Sequence, residues 1–371
     1  MKATVSRKSE VEEMIVVNGV NAASFLEEAN HLVASYLSQL EQKDLSMDSC
    51  ISMVIFVSDI ANQEQILERM PFFQDLRSMN CAISIVGAAP VGNRISLIAH
   101  HAEEPGLFKK LIRIEENLNG AQILRLVRKD RELHILFNFK GRPTDDVEGQ
   151  TSSVFERLFA YCKCMNLDPK KLVRTWIYVN DIDNNYAGMV EARKSFFHAH
   201  GLTPDSGYPA STGIGGRSRD HRLSVLVNAH IYDNQTQVER IQALTHMNPT
   251  IEYGVTFERA MQVELDQGRY VYISGTASID NEGCIVCELD LEGQVNRTVE
   301  NIAALLESCE MRLEDLMYVC IYLRDFNEEH RTRSCIQKLL PGNVPFVLLH
   351  APVCRPGWLI EIDGLARKTS L

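Results

Sequence analysis

The chain has 371 residues, with 38 lysines and arginines against 49 aspartates and glutamates, a formal charge of −11. At 45% hydrophobic and 23% charged residues, it has the composition of a globule with a large core rather than of a disordered chain. Net acidity without a basic run argues against a protein that coats nucleic acid, and no apolar run approaches the roughly 20 residues of a membrane-spanning helix. Ten scattered cysteines in a chain too long to need staples fit a reducing cytoplasm. The opening residues, MKATVSRKSEVEEMIVV, lack an apolar segment before a small-residue cleavage site, so secretion is not expected.

In chain order, Phe25, Ala29, Leu32 and Tyr36 fall on one face of a predicted helix, followed by a strand at IFVSDI (55–60). CAISIVGAAP (81–90) and RISLIAHHA (94–102) read as two further strands, and a polar linker is expected over 106–120. A second helix follows Glu148-Gly149-Gln150, then the strand IYVNDI (177–182), a helical stretch, PASTGIGG (209–216) and RLSVLVNAHI (222–231). After a linker at 233–250, RYVYISGTASIDNEGCIV predicts a hairpin with Asn281-Glu282-Gly283 in its turn. A helix after Glu292-Gly293-Gln294 buries Val299, Ile302, Leu305 and Leu306. IYLRDF (321–326), a second helix, PFVLLHAP (345–352) and WLIEIDGLA (358–366) complete the chain.

The hexapeptides at 177 and 321 and the two EGQ tripeptides are each 144 residues apart, and nine of 34 positions are identical between 148–181 and 292–325. About two would match by composition alone. We read an internal repeat of three units, 1–118, 119–247 and 248–371, each a hairpin, helix, strand, helix and strand pair, with the hairpin shortened in the first two. The expected fold class is α+β, with mixed sheets carrying helices on one face. One such unit leaves a sheet face uncovered, and three can cover one another as an intramolecular pseudo-trimer.

VRTWIYVNDIDNNY, EARKSFF and PASTGIGG in the second unit, and YISGTAS, EGQVNRTVENIAALLE, IYLRD and CRPGWLIEIDGLA in the third, resemble the YjgF/Rid superfamily. That family has a chorismate-mutase-like fold, one unit per chain, and endoribonuclease and translation-inhibitor labels. Three units in one chain, with GTAS in the last hairpin and CR before LIEI, are similar to its chorismatase branch. The resemblance implies hydrolysis of an enolpyruvyl ether or of an imine or enamine. The implied partner is a small-molecule carboxylate, with neither cofactor nor nucleic acid nor membrane, in a monomer or weak homodimer. Alternatives are a non-catalytic ligand-binding protein and, last, an RNA-directed one.

Alternation places Leu359, Glu361 and Asp363 on one strand face, with Glu361 among apolar neighbours that should raise its pKa into the range of a proton donor. Arg355 offers a planar fork for a carboxylate. The pair is either this site or a buried ion pair. The resemblance implies that Arg355 holds the ligand carboxylate and Glu361 is the acid. It also implies a single working cleft, because the closing strands of the other units hold no glutamate. Ser274, Gly275 and Thr276 form either an oxyanion-binding turn or an ordinary strand end. Tyr178, Tyr186, Arg193 and Thr212 resemble the family's second-unit positions. Arg193, two turns after Tyr186, is a second carboxylate clamp or a surface arginine. Cys354 is either a thiol that affects product outcome, as the resemblance implies, or an inert one.

Other motifs carry less. Cys284-Ile285-Val286-Cys287 on a strand throws its thiols to opposite faces, which excludes zinc, and His100-His101 and His198-Ala199-His200 lack carboxylates at ligand spacing. Gly213-Ile214-Gly215-Gly216 lacks the Lys-Ser/Thr of a phosphate loop. The chain departs from Rid deaminases at Phe257, where they carry Tyr. It departs from chorismatases at Asn185-Tyr186 followed by Met189-Val190, where they show Arg-Tyr followed by Phe-Asn.

Overall fold

The computed structural model describes residues 11–104, 106–114, 120–129, 131–266 and 268–369. Residues 1–10 of the opening segment, on which the secretion reading partly rests, lie outside them. The first third forms β1 (Val11–Asn18), α1 (Phe25–Gln42), β2 (Cys50–Val57), α2 (Ile60–Arg69), α3 (Pro71–Ser78), β3 (Ala82–Gly87), β4 (Ala89–Pro90) and β5 (Ile95–Glu103). Next come β6 (Phe108–Arg113), β7 (Gln122–Val127), β8 (Glu132–Lys140), α4 (Val147–Cys164), β9 (Leu172–Val179), α5 (Ile182–Ala199), β10 (Ala210–Gly215) and β11 (Val225–Tyr232). The last third holds β12 (Gln237–Ile241), β13 (Ala260–Leu265), β14 (Gly268–Thr276), α6 (Leu291–Glu307), β15 (Leu316–Leu323), α7 (Glu329–Leu339), β16 (Phe346–His350) and β17 (Ile360–Thr369). Among the described residues no helix is long and apolar enough to cross a membrane.

These strands make three mixed sheets, ordered β1-β5-β2-β3, β10-β9-β11-β8-β7-β6 and β12-β13-β14-β17-β15-β16-β4. In each, the strand of the repeated hexapeptide sits inside the sheet. It pairs parallel with the strand after the next helix (β2 with β3, β9 with β10, β15 with β16) and antiparallel with the closing strand. Parallel neighbours need a crossover, which the intervening helices supply.

Helix starts follow local chemistry. Ser24 caps α1 by accepting from the Glu27 N–H, and Asp146 caps α4 by accepting from Gly149. Apolar stripes then close separate cores over one face of each sheet, such as Phe25, Leu32 and Tyr36 over the first and Phe155, Leu158 and Phe197 over the second. The opposite sheet faces meet in a shared core in which the rings of Phe56 and Tyr178 lie edge to face at 6.5 Å. Backbone pairing seals all three junctions: Gly87 with Arg217, Ile214 with Val353, and Pro90 with Leu349.

Several expectations need correction. The opening hairpin of the last third is β13–β14, with its turn at Asp266, and Asn281–Gly283 turn only an isolated bridge between Ile279 and Ile285. Cys284 and Cys287 are therefore exposed residues of an irregular segment and not strand residues. The middle sheet's opening is not shortened, since β6, β7 and β8 form a three-strand meander. Phe108–Arg113 and Gln237–Ile241, assigned to linkers, are edge strands of the second and third sheets. Their lysines, arginines and glutamates disguise strands that have water along one edge.

One buried carboxylate ties the three sheets together. Glu12 on β1 accepts from Arg128, at the β7–β8 turn, at 2.7 Å and from Tyr270 on β14 at 2.7 Å, and it pairs with His100 on β5 at 2.8 Å. Burial pushes its carboxyl up, but Arg128, His100 and Tyr270 together hold it well below the usual range. Its stabilisation is therefore present above the ordinary carboxylate pKa and is lost as pH falls. Glu12→Ala takes from Arg128, Tyr270 and His100 their shared acceptor, although Arg128 keeps Glu104 at 2.9 Å. It should cost about 3 kcal/mol in urea unfolding at neutral pH, with the gap from wild type narrowing in acid.

Candidate active site

The closing strand of the third sheet sets out the cleft. Alternation on β17 puts Glu361 and Asp363 on one face, and both are buried. Opposite them, the register between β14 and β17 shifts between Ile273 and Thr276, so Ser274 and Gly275 form a bulge. The bulge brings the Gly275 backbone against the Glu361 carboxyl: a methyl added at Gly275 would lie 2.7 Å from Glu361 Cδ and closer still to Oε1. From the second sheet, α5 and β10 close the other wall. The lining of the cleft includes Tyr186, Arg193, Arg259, Cys354, Arg355 and Glu361.

Its charge pattern is one acid among cations. Arg193 is buried, and its hydrogen bonds run to neutral hydroxyls, Thr256 at 2.9 Å and Ser211 at 3.2 Å. Among the described residues no carboxylate pairs with it, and burial lowers its pKa. Arg259 donates to the Asn248 carbonyl at 3.0 Å, and Arg355 lies over the Trp358 ring at 5.0 Å. Burial and then the charge of Asp363 push the Glu361 carboxyl up to about 8, and Arg174 and Arg259 restrain the rise. Among the described residues no hydrogen bond or ion pair fixes that carboxyl. At neutral pH Glu361 is a protonated acid with three guanidinium groups around the same cleft.

Behind the cleft is a second charged layer. Arg174, fully buried on β9, donates to Asp363 Oδ2 at 2.7 Å and to the Thr212 hydroxyl at 2.6 Å. Asp363 Oδ2 also accepts from Thr212 at 2.7 Å and from Tyr322 at 2.9 Å. Thr212 in turn accepts the Gly275 N–H at 3.0 Å. This chain joins the two sheets and ends on the backbone that touches Glu361.

The predicted residues divide along these lines. Glu361, Arg355, Cys354, Gly275, Tyr186 and Arg193 share the cleft, and Arg193 is not the surface residue its alternative reading made it. Ser274 and Thr276 do not line it. The Ser274 hydroxyl accepts from the Ser211 N–H and donates to the Glu258 carbonyl, and the Thr276 hydroxyl donates to the Ser274 carbonyl. Thr212 supports the bulge from behind, so the Gly275 N–H is not available to an oxyanion. Tyr178 faces the packing between sheets. Burial pushes the Cys354 thiol up to about 12, and the Glu361 charge adds to this against Tyr186 and Arg355, so it stays protonated. His100 does have a carboxylate, Glu12, from 88 residues away, and His101 bonds Tyr36 and Ser49. Among the described residues, no three of His, Cys, Asp and Glu are grouped to hold a metal.

Arg259 and the Arg174–Asp363 pair were missed by the sequence reading. The visible signal was a charged residue inside an apolar strand, as in VRTWIYV. The other sheets offer no second acid. Glu361 stands opposite Tyr322, and the corresponding pairings put Leu226 opposite Tyr178 and Ser96 opposite Phe56.

Comparison with known proteins gives these shapes relatives. The family model for endoribonuclease L-PSP matches residues 256–368. A RutC family protein from Pyrococcus abyssi is 34% identical over 102 residues, 27% of this chain and 80% of that protein. A chorismatase from Streptomyces hygroscopicus is 26% identical over 234 residues, covering 58% of this chain and 66% of its own length, just under two thirds. A 3-hydroxybenzoate synthase from the same organism is 26% identical over 250 residues, 61% of this chain and 70% of that one. A solved chorismatase structure superposes with a TM-score of 0.67 at 16% identity, over 98% of this chain and 100% of that one, which establishes a common fold across the three sheets.

Two outcomes follow from the geometry. Gly275→Ala should collide with the Glu361 carboxyl, costing about 1–3 kcal/mol in chemical denaturation. Because Glu361 binds its proton more tightly folded than unfolded, stability falls as pH rises from the ordinary glutamate range to about 8 and is level above it. Glu361→Gln removes that slope: its melting temperature relative to wild type should climb between pH 5 and 8, and a constant difference would refute the buried acid.

Proposed function

We propose, because the chain belongs to the YjgF/Rid superfamily, that the cleft between its second and third sheets is the active site of a chorismatase-like enzyme, hydrolysing the enolpyruvyl ether of a small carboxylate such as chorismate. The observation that carries this reading is the neutral, fully buried Glu361 facing a cleft with Arg193, Arg259 and Arg355. An enol ether needs a proton at its methylene carbon. The resulting oxocarbenium ion takes up water, and the hemiketal falls apart to pyruvate and the alcohol. Glu361 donates the first proton and recovers one from the attacking water. Guanidinium groups suit the substrate carboxylates because a planar fork matches a carboxylate at both oxygens. Tyr186, Phe257 and Trp358 supply apolar walls. An imine or enamine bearing a carboxylate would meet the same acid, but Phe257 in the cleft wall stands where Rid deaminases carry a tyrosine.

Thermal shift and turnover assays with chorismate, isochorismate and 2-oxo acids test this reading. A substrate should stabilise the wild type by mass action and leave Arg355→Ala unmoved. Glu361→Gln should still bind while its turnover drops by at least about 100-fold. Wild-type turnover in that variant would end the proposal.

A further inference from the structure

The acid of the cleft does not stand alone on its strand. Asp363, two residues on and on the same face, is buried with Arg174, Thr212 and Tyr322 at 2.7–2.9 Å, and these three bonds converge on Oδ2. Burial raises the Asp363 pKa, and Arg174, Thr212 and Tyr322 act against the rise. Three donors on one oxygen, one of them a guanidinium, are the partners of an ionised carboxylate. The pair crosses from the third sheet to the second, and Thr212 extends it to the Gly275 N–H at 3.0 Å, on the bulge against which the Glu361 carboxyl lies. We infer that Asp363, held by Arg174 and Thr212, is a positioning residue for Glu361, keeping it in the proton-bearing form and fixing the backbone beside its carboxyl. This deepens the reading of Glu361 as the acid and rests on it.

The electrostatics agree in sign. The groups facing Glu361 are Asp363 on its own strand, Arg174 on β9, Arg259 before β13, Tyr186 and Arg193 on α5, and Cys354 and Arg355 in the loop before β17. The guanidinium groups favour loss of the Glu361 proton. Burial and Asp363 oppose it, and Asp363 acts on Glu361 more strongly than Arg174 does. Replacing Asp363 with the near-isosteric asparagine removes the opposing charge and also releases the Arg174 charge from its counterion. Both changes lower the proton affinity of Glu361.

The test reads that proton directly, without substrate. The carboxylic-acid C=O band of Glu361 is followed by infrared spectroscopy across pH, identified by its disappearance in Glu361→Gln. In Asp363→Asn its midpoint should fall from about 8 by about one pH unit or more. Asp363→Asn with Arg174→Gln, which leaves no lone buried charge, should lower it by less, and this pair also serves if the single variant fails to fold. Tyr322→Phe removes a donor but no charge and should leave the midpoint in place. A midpoint that is unmoved or raised in a folded variant lacking Asp363 overturns the inference. Undiminished turnover by Glu361→Gln would instead overturn the acid reading, so the two failures are distinct.

Discussion

Each sheet has helices on one face only, and that constraint shapes everything else in the molecule. The uncovered face of a mixed sheet has to be removed from water, and here the three sheets do this for one another. Once sheet faces meet, any charge lying between them must find its partner across a junction, because a lone buried ion costs several kcal/mol. Glu12 with Arg128 and Tyr270 is one solution, and Arg174 with Asp363 is another. The cleft lies just outside the second of these, where the β14 bulge spoils the regular pairing of the third sheet and leaves space between it and α5.

Within the cleft one cation is held without a counterion among the described residues. Arg193 is satisfied by hydroxyl groups, which answer its hydrogen-bonding need and leave its charge uncancelled. Glu361, the acid that lines the same cleft, keeps its proton at neutral pH. A site prepared in this way holds the Arg193 charge for an incoming anion, and it presents an acid without first having to acquire one.

What could be read in the residues, and what could not, follows the distance between partners. Arg355 sits six residues before Glu361, in the loop that leads into a strand whose alternation is visible, so their shared location and the desolvation of the glutamate were legible. The mixed sheets with one-sided helices were legible from the hexapeptides and the apolar stripes. Arg174 and Asp363 are 189 residues apart, and nothing local pairs them. Ser274 and Thr276 misled because a strand-end hydroxyl satisfies backbone groups as readily as a ligand, and the bulge that diverts them is a property of two strands together. FKKLIR was read as linker because an edge strand carries charges that an interior strand cannot.

The positions opposite the hexapeptide strands, Ser96, Leu226 and Glu361, show what a covalently joined chain permits. When identical subunits close around an axis, any residue chosen for one junction is imposed on all of them, so a costly buried acid would be repeated and its burden multiplied. Here the three positions are encoded separately. A serine and a leucine can serve packing at two junctions, and the destabilising carboxyl is incurred once. The division of labour also frees the remaining junctions to drift without touching the chemistry.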